Sequence, residues 1–293
     1  MKILVTGANG QVGTEIVKLF TSTTHEIISF TRQELNCEHI NGVNSTLLTV
    51  RPDLIINTAA YTSVDQAEDE PSRVVVVNST FVGELAAYCR QWNIPLIHLS
   101  TDYVFDGNSL EPYRELDIPN PQNVYGRSKL AGEHVISSIL NDYLILRVSW
   151  VFGISGSNFV KTILNLASVR DELNIVSDQW GRPTAARDIA RVLLEIVQKL
   201  ASGSFGGWGI YHYAGQGITN WYDFAHEFIK MAVERNGTLN MANIYPIKSD
   251  EYRTKVKRPK NSVLDTTKIE QSLGIVCHHW KDYLPEVVEC CIR

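Results

Sequence analysis

The feature that most constrains the fold stands at the start of the chain. Residues 1–6 form a short apolar run, Gly7-Ala8-Asn9-Gly10-Gln11-Val12-Gly13 comes next, and Val12, Ile16, Leu19 and Phe20 then recur at helical spacing. Strand, glycine-rich turn and helix in that order open a βα unit whose helix N-terminus can face an anion. Gly7 permits the tight turn, Gly10 lets the backbone approach a pyrophosphate, and Gly13 lets the helix pack close to the strand. The spacing is G-x-x-G-x-x-G, not the G-x-G-x-x-G of the common dinucleotide fingerprint, so the turn takes its meaning from the elements downstream of it.

Those elements alternate. Residues 25–30, 54–60 and 95–100 read as further strands, apolar enough to be buried on both faces, with helical segments between them. This predicts a parallel sheet with right-handed crossovers. The four valines at 74–77 favour a strand by propensity. Val77, Phe81, Leu85, Ala86 and Cys89 nevertheless continue at helical spacing, so 72–92 is predicted to be a helix. Pro119-Asn120-Pro121 marks a boundary before a helix over 125–140 and a strand over 144–148. Beyond Trp150 the pattern loosens around Gly153, Gly156 and Asn158. Residues 185–200 again read as an amphipathic helix that returns to the sheet, 210–214 as a strand and 221–235 as a helix. The expected architecture is α/β: a Rossmann-like doubly wound parallel sheet with a smaller mixed α/β substrate-binding domain. The first domain takes 1–150 and about 184–200, the second 151–183 and 201–293, with a cleft between them.

Composition narrows the function. A chain of 293 residues, 44% hydrophobic and 20% charged, has the texture of a globular enzyme. A net charge of -5 argues against a nucleic-acid partner, which needs a broad basic face. The five cysteines, Cys37, Cys89, Cys277, Cys290 and Cys291, are odd in number and lack C-x-x-C spacing, so reduced thiols and a cytoplasmic location are expected. No run approaches the ~18 apolar residues of a membrane span. With residues 1–6 already a strand, no room for a cleavable leader is expected. The His278-His279 pair lacks H-E-x-x-H spacing and reads as surface or packing.

The reactive pattern is Tyr125-Gly126-Arg127-Ser128-Lys129, which puts a phenol and an ammonium four residues apart on one face of a helix. A phenol with a pKa near ~10 is a poor proton donor at neutral pH, and a neighbouring cation eases release of its proton. Asn57-Thr58-Ala59-Ala60-Tyr61-Thr62 and Ser100-Thr101-Asp102-Tyr103-Val104-Phe105 stand at two strand ends. Strand C-termini of an open parallel sheet line one edge, so Ala59, Ala60, Thr101 and Tyr125 can converge on one ligand.

These residues resemble the extended short-chain dehydrogenase/reductase superfamily. Within it, S-T-D-Y-V-F-D-G, V-Y-G-x-x-K-L-A-G-E and R-x-S-W-V-F resemble the dTDP-4-dehydrorhamnose reductase family. The likeness runs nearly the whole length, through R-P-D-L-I-I-N-T-A-A-Y-T-x-V-D-x-A-E at 51–68, S-D-Q-W-G-R-P-T at 177–184, G-I-Y-H at 209–212, T-N-W-Y-D-F-A at 219–225 and R-P-x-N-S-x-L-D at 258–265.

The resemblance implies NADPH-dependent reduction of the C4 ketone of dTDP-4-dehydro-L-rhamnose. Thr101 would hydrogen-bond the carbonyl oxygen, Tyr125 would protonate it and Lys129 would hold the nicotinamide ribose. It places cofactor contacts on Gly7, Asn9, Gly10, Gln11, Val12, Arg32, Asn36, Cys37, Ala59, Ala60 and Tyr61, together with Tyr125 and Lys129. Substrate contacts fall on Val64, Thr101, Asp102, Tyr103, Trp150, Arg182, Arg258 and Lys260. Trp150 is either an apolar wall for the deoxysugar or plain core, and Lys260 either a phosphate ligand or a solvated surface residue. Asn36 and Cys37 depart from the family pattern on the adenosine side. Ser29-Phe30-Thr31-Arg32 lacks a carboxylate for a ribose 2′-hydroxyl, which favours NADPH with NADH as the alternative; Arg32 either pairs with the 2′-phosphate or solvates its loop. Glu15 and Glu289 match metal-binding positions of some members but Arg187 occupies the third, so no functional metal is expected and no metal-linked dimer is transferred, though a homodimer stays compatible. Two rival readings stay open: a reductase of another 4-keto sugar nucleotide, and a regulatory subunit like the methionine adenosyltransferase beta subunit.

Overall fold

The computed structural model describes residues 1–237 and 241–292; the predicted second-domain segment 201–293 therefore includes 238–240 and 293, which lie outside the described residues. Strand β1 (Lys2–Thr6) sends Ile3 and Val5 into one core and Leu4 into another, on the opposite face of the sheet. The same holds for β3 (Leu54–Asn57), where Leu54 and Ile56 face one way and Ile55 the other. This double burial is why neither strand alternates polar with apolar. With β2 (Glu26–Phe30), β4 (Leu96–Thr101), β5 (Tyr143–Val148) and β6 (Gly209–Tyr213) they form one six-stranded parallel sheet in the order β6-β5-β4-β3-β1-β2. The chain steps outward from β1 to β2 and then back across β1 to β3. The crevice outside the C-terminal ends of β1 and β3 is thus the switch point at which open α/β sheets bind ligands.

Helix α1 (Gln11–Phe20) and the helix Ala186–Ala201 cover one face through Val12, Ile16, Phe20, Ile189, Leu193 and Val197. Helices Val43–Val50, Phe81–Trp92 and Val124–Ile139 cover the other. The helix expected over 72–92 is three pieces end to end: α-helix Pro71–Val75, a π turn Val76–Thr80 and α-helix Phe81–Trp92. The valines sit in it because Val74 and Val77, three apart, are buried while Val75 faces out; tertiary burial overrides their strand propensity.

Strand β6 comes from beyond residue 200 and pairs with β5, so the sheet draws on the segment assigned to the second domain. Its Tyr211 and Tyr213 belong to the core under α1 and the helix Ala186–Ala201. A separate core lies between helices Phe159–Ala167, Trp221–Arg235 and Leu284–Ile292, with Phe152, Phe224, Phe228 and Trp280 at its centre. Three two-stranded pairs accompany it: Glu172–Val176 parallel to Asn243–Ile247, Val151–Phe152 parallel to Thr184–Ala185, and Trp180–Gly181 antiparallel to Thr219–Asn220.

Candidate active site

At the switch point Gly7 takes φ +69°, and a Cβ there would lie 2.7 Å from the Ala59 backbone. Only glycine meets both demands. The amide of Gly10 donates to the Gly7 carbonyl at 2.9 Å, closing the turn, and a Cβ on Gly13 would overlap that same carbonyl oxygen. The amides of the first turn of α1 have no partner within the helix and make an anion cradle. A cavity of about 400 Å³ opens here, lined by Gly7, Asn9, Gly10, Arg32, Asn36, Cys37, Ala59, Ala60 and Tyr61 among the expected cofactor residues. Two expected members are placed otherwise. The Val12 side chain is part of the core beneath the sheet, so Val12 can serve an anion only through its backbone N–H, and the Gln11 amide oxygen accepts from Asn158 at 3.0 Å. Tyr125 and Lys129 do not line this cavity.

The far end of the cavity carries charges that single-strand reading missed. Arg32 pairs with Glu38, and Glu38 also accepts from Arg73 Nε at 3.0 Å. A carboxylate does lie beside Arg32, six residues along, but two guanidinium groups share it. Arg73 also pairs with Glu70 at 2.6 Å, so two guanidinium groups are balanced by two carboxylates, and what the cluster offers a phosphate is guanidinium N–H donors. Burial pushes the Cys37 thiol up to about 11 and keeps it un-ionised at neutral pH.

Thr101 ends β4, and its hydroxyl donates to Asp102 at 2.9 Å while accepting from the Tyr103 amide at 3.2 Å. Burial raises the Asp102 carboxyl to about 6, opposed by hydrogen bonds from the Ser262 and Thr101 side chains. Tyr125 stands in the first turn of the helix Val124–Ile139, which starts there for identifiable reasons. Asn123 caps it by accepting from the Gly126 amide at 2.8 Å, and Glu68 accepts from the Val124 amide at 2.7 Å. Gly126 is required by a close approach, since a Cβ there would lie 2.2 Å from the Tyr103 carbonyl oxygen. The Tyr103 and Tyr125 rings meet edge to face with centroids 5.6 Å apart. Burial holds Tyr125 well above the ordinary phenol range, and hydrogen bonding with the Thr101 side chain pulls it back in part.

Lys129, one turn on from Tyr125, is held from the sheet side. The buried Lys129 amine donates to the Leu99 carbonyl at 2.6 Å and stands 3.1 Å from His98 Nε2, so its hydrogen-bond partners are β4 groups. Burial lowers Lys129 to about 8, against the pull of Glu133 one turn on.

The expected substrate residues divide. Val64 begins the short helix Val64–Ala67, whose Asp65 pairs with Arg258 at 2.6 Å, and the Arg258 charge in turn acts on Tyr103. These join Thr101, Asp102, Tyr103 and Tyr125 in one neighbourhood. Lys260 instead lines a cavity of about 500 Å³ with Asn108, Asp178 and Trp180, and none of Thr101, Tyr103 or Tyr125 borders it. Arg182 donates to the Leu264 carbonyl at 3.1 Å and faces Thr266, tying down the C-terminal segment. Trp150 takes φ +47°, and its indole stacks on Trp221 with centroids 3.5 Å apart. Trp221 was not singled out in sequence as the partner of Trp150, although it stands in T-N-W-Y-D-F-A. At the metal-related positions, Glu15 is buried, Arg187 pairs with Glu286, and Glu289 pairs with Arg235 at 3.3 Å. Among the described residues no three His, Cys, Asp or Glu side chains gather as a metal site.

A parallel sheet with a glycine cradle at its switch point, a threonine ending β4 and a Tyr-x-x-x-Lys helix beside it defines a short-chain dehydrogenase/reductase of the extended type. The family model described as RmlD substrate binding domain matches residues 1–292. A dTDP-4-dehydrorhamnose reductase of Aggregatibacter actinomycetemcomitans is 42% identical over 287 residues, 98% of each chain. The crystal structure of a dTDP-4-dehydrorhamnose reductase from Clostridium acetobutylicum superposes with a TM-score of 0.89 at 36% identity, covering 99% of both chains. That of the Bacillus anthracis enzyme, in complex with NADP, gives 0.88 at 32% identity over 98% of both. The chain belongs to the dTDP-4-dehydrorhamnose reductase family.

Proposed function

We propose that this chain reduces the C4 ketone of dTDP-4-dehydro-L-rhamnose to dTDP-L-rhamnose with NADPH, NADH being the alternative cofactor. The observation that carries the reading is the meeting of Thr101 and Tyr125 at the sheet edge beside the Gly7 cradle, in a chain whose relatives bear this activity as their name. The residues fit the cofactor. The amides that open α1 suit its pyrophosphate, Ala59 to Tyr61 flank the cavity, and Arg32 with Arg73 suits a 2′-phosphate. The chemistry the cofactor supplies when bound is a hydride for the carbonyl carbon.

The protein supplies the rest. The Thr101 hydroxyl turns from Asp102 toward the carbonyl oxygen, and Tyr125 delivers its proton to that oxygen as negative charge develops there. Burial keeps Tyr125 protonated at neutral pH, so the donor is loaded, and a developing alkoxide is basic enough to take its proton. Arg258, whose charge acts on Tyr103, would meet the substrate with it, and the lobe built on Phe224 and Trp280 would hold the nucleotide. Among the described residues no helix is long and apolar enough to cross a membrane; a cytoplasmic enzyme, active as a homodimer, is the reading we adopt, and gel filtration with light scattering tests the dimer. The activity is tested by following NADPH loss with a panel of 4-keto sugar nucleotides. The dTDP-4-dehydro-L-rhamnose reaction should have the highest kcat/KM; a much better alternative sugar would replace the substrate, and no turnover of any would remove the enzyme reading.

A further inference from the structure

His98 lies on β4, wholly buried, between Asn57 on β3 and Lys129 on the following helix. Its protonation is readable from its partners. Asn57 Oδ1 receives the Ala59 amide at 3.1 Å and the Thr6 hydroxyl at 2.6 Å; the amide can only donate, so this atom is the oxygen. Asn57 Nδ2 then faces His98 Nδ1 at 2.8 Å, and an amide NH₂ offers only hydrogens. Nδ1 must therefore hold a lone pair. A buried neutral imidazole places its one hydrogen on Nε2, and that atom stands 3.1 Å from Lys129 Nζ. An ammonium has three hydrogens and no lone pair, so it would meet a donor with a donor. A neutral amine accepts the Nε2 hydrogen while still donating to the Leu99 carbonyl.

We propose that His98 is a positioning residue that, locked as the Nε2–H tautomer by Asn57, sets the proton affinity of Lys129 and holds its amine against β4. The groups facing Lys129 are His98 and the Leu99 carbonyl from β4, and Tyr125 and Glu133 one turn before and after it on its own helix; Arg147 of β5 is paired to Glu133 and offsets much of its charge. Of these only His98 presents a hydrogen directly to Nζ. The lowering of Lys129 by burial acts in the same sense. The consequence for catalysis deepens the reductase reading and rests on it, but the titration itself does not.

The test is NMR titration of protein labelled with ¹³C at lysine Cε, the Lys129 signal assigned with Lys129→Met. In His98→Gln the side-chain carbonyl can accept from an ammonium, so the Lys129 midpoint should rise by about one pH unit or more toward that of an exposed lysine. The basic limb of kcat/KM should move with it, whereas a packing role for His98 would lower activity without shifting either. Imidazole ¹⁵N shifts of the unaltered protein give the second readout, independent of whether His98→Gln folds. The Nε2–H form, neutral to below pH 6, supports the proposal. An Nδ1–H tautomer, or an unchanged Lys129 midpoint in His98→Gln, overturns it, and neither result touches the assay of ketosugar reduction.

Discussion

At the scale of single residues, the site is a set of ionisable groups held from their ordinary pKa values by burial. Lys129 is the sharpest case, at about 8 in the fold against ~10.4 in an unfolded chain. Between those values the unfolded state binds more protons, so this residue adds stability as pH rises through the window and costs stability below it. Lys129→Met removes the cost along with two hydrogen bonds. Its melting temperature minus that of the unaltered protein should therefore be more favourable at about pH 7 than at about pH 10; a difference flat across that range would mean that Lys129 is not depressed. At the other end of the cleft, Arg32 and Arg73 both rest on Glu38. Replacing either by Ala should lower the NADPH-to-NADH ratio of kcat/KM by roughly tenfold or more, the worth of a charge-assisted contact to phosphate. A ratio that does not move in either variant would show that the 2′-phosphate lies elsewhere.

At the scale of elements, the helix Val124–Ile139 is the part that positions Tyr125, the proton donor we propose. Its start is fixed by Asn123, Glu68 and the close approach of Gly126 to Tyr103. Asn123→Ala should cost about 1 kcal/mol in denaturant unfolding. Gly126→Ala should cost more, at ~1–3 kcal/mol, and should also depress kcat, because the helix must move off Tyr103 and carry Tyr125 with it. Equal kcat in Gly126→Ala and the parent would mean that Tyr125 tolerates that shift. The helix and its Tyr-x-x-x-Lys spacing were legible in sequence, because the boundary at Pro119-Asn120-Pro121 and that spacing are local signals, whereas the Asn123 cap and the approach of Gly126 to Tyr103 were not read. The Glu68 cap was not legible, since it reaches Val124 across 56 residues. The π turn at Val76–Thr80 was equally hidden. It turns Asn78 so that its amide accepts from the Tyr61 N–H at 2.8 Å and donates to Ser128 at 3.0 Å, linking the loop after β3 to the helix Val124–Ile139 through contacts that no local spacing announces. The strand predicted to reach residue 60 stops at Asn57 for a related reason: the Asn57 side chain takes the Ala59 amide and bends the chain away.

At the scale of the whole molecule, the sheet is pinned by a buried ion pair. Arg147 on β5 gives two hydrogens to Glu133 at 3.0 and 2.6 Å, and Glu133 also accepts from Ser100. Arg147 further approaches His212 of β6 at 3.4 Å, and burial beside that guanidinium holds His212 down at about 3. Glu133→Ala would strand a buried guanidinium, so a loss of ~3–5 kcal/mol in unfolding free energy is expected, and a loss under ~1 kcal/mol would contradict the pairing. The strands at the N-terminal end were legible because each is apolar throughout. The recruitment of Gly209–Tyr213 as β6 was not, because its order along the chain says nothing of which strand it joins. The proposed cofactor half of the site stems from Gly7 and its strand; the residues proposed for the substrate depend on long-range partners such as Asp65 for Arg258 and Trp221 for Trp150. The proposed transfer of a proton from Tyr125 to a sugar ketone is the central claim, and the most direct measurement is kcat of Tyr125→Phe beside the parent enzyme, with NADPH and dTDP-4-dehydro-L-rhamnose. The variant should fold, bind NADPH unchanged and lose on the order of 10² or more in kcat with little change in KM; a Tyr125→Phe enzyme turning over at nearly the parent rate would contradict it.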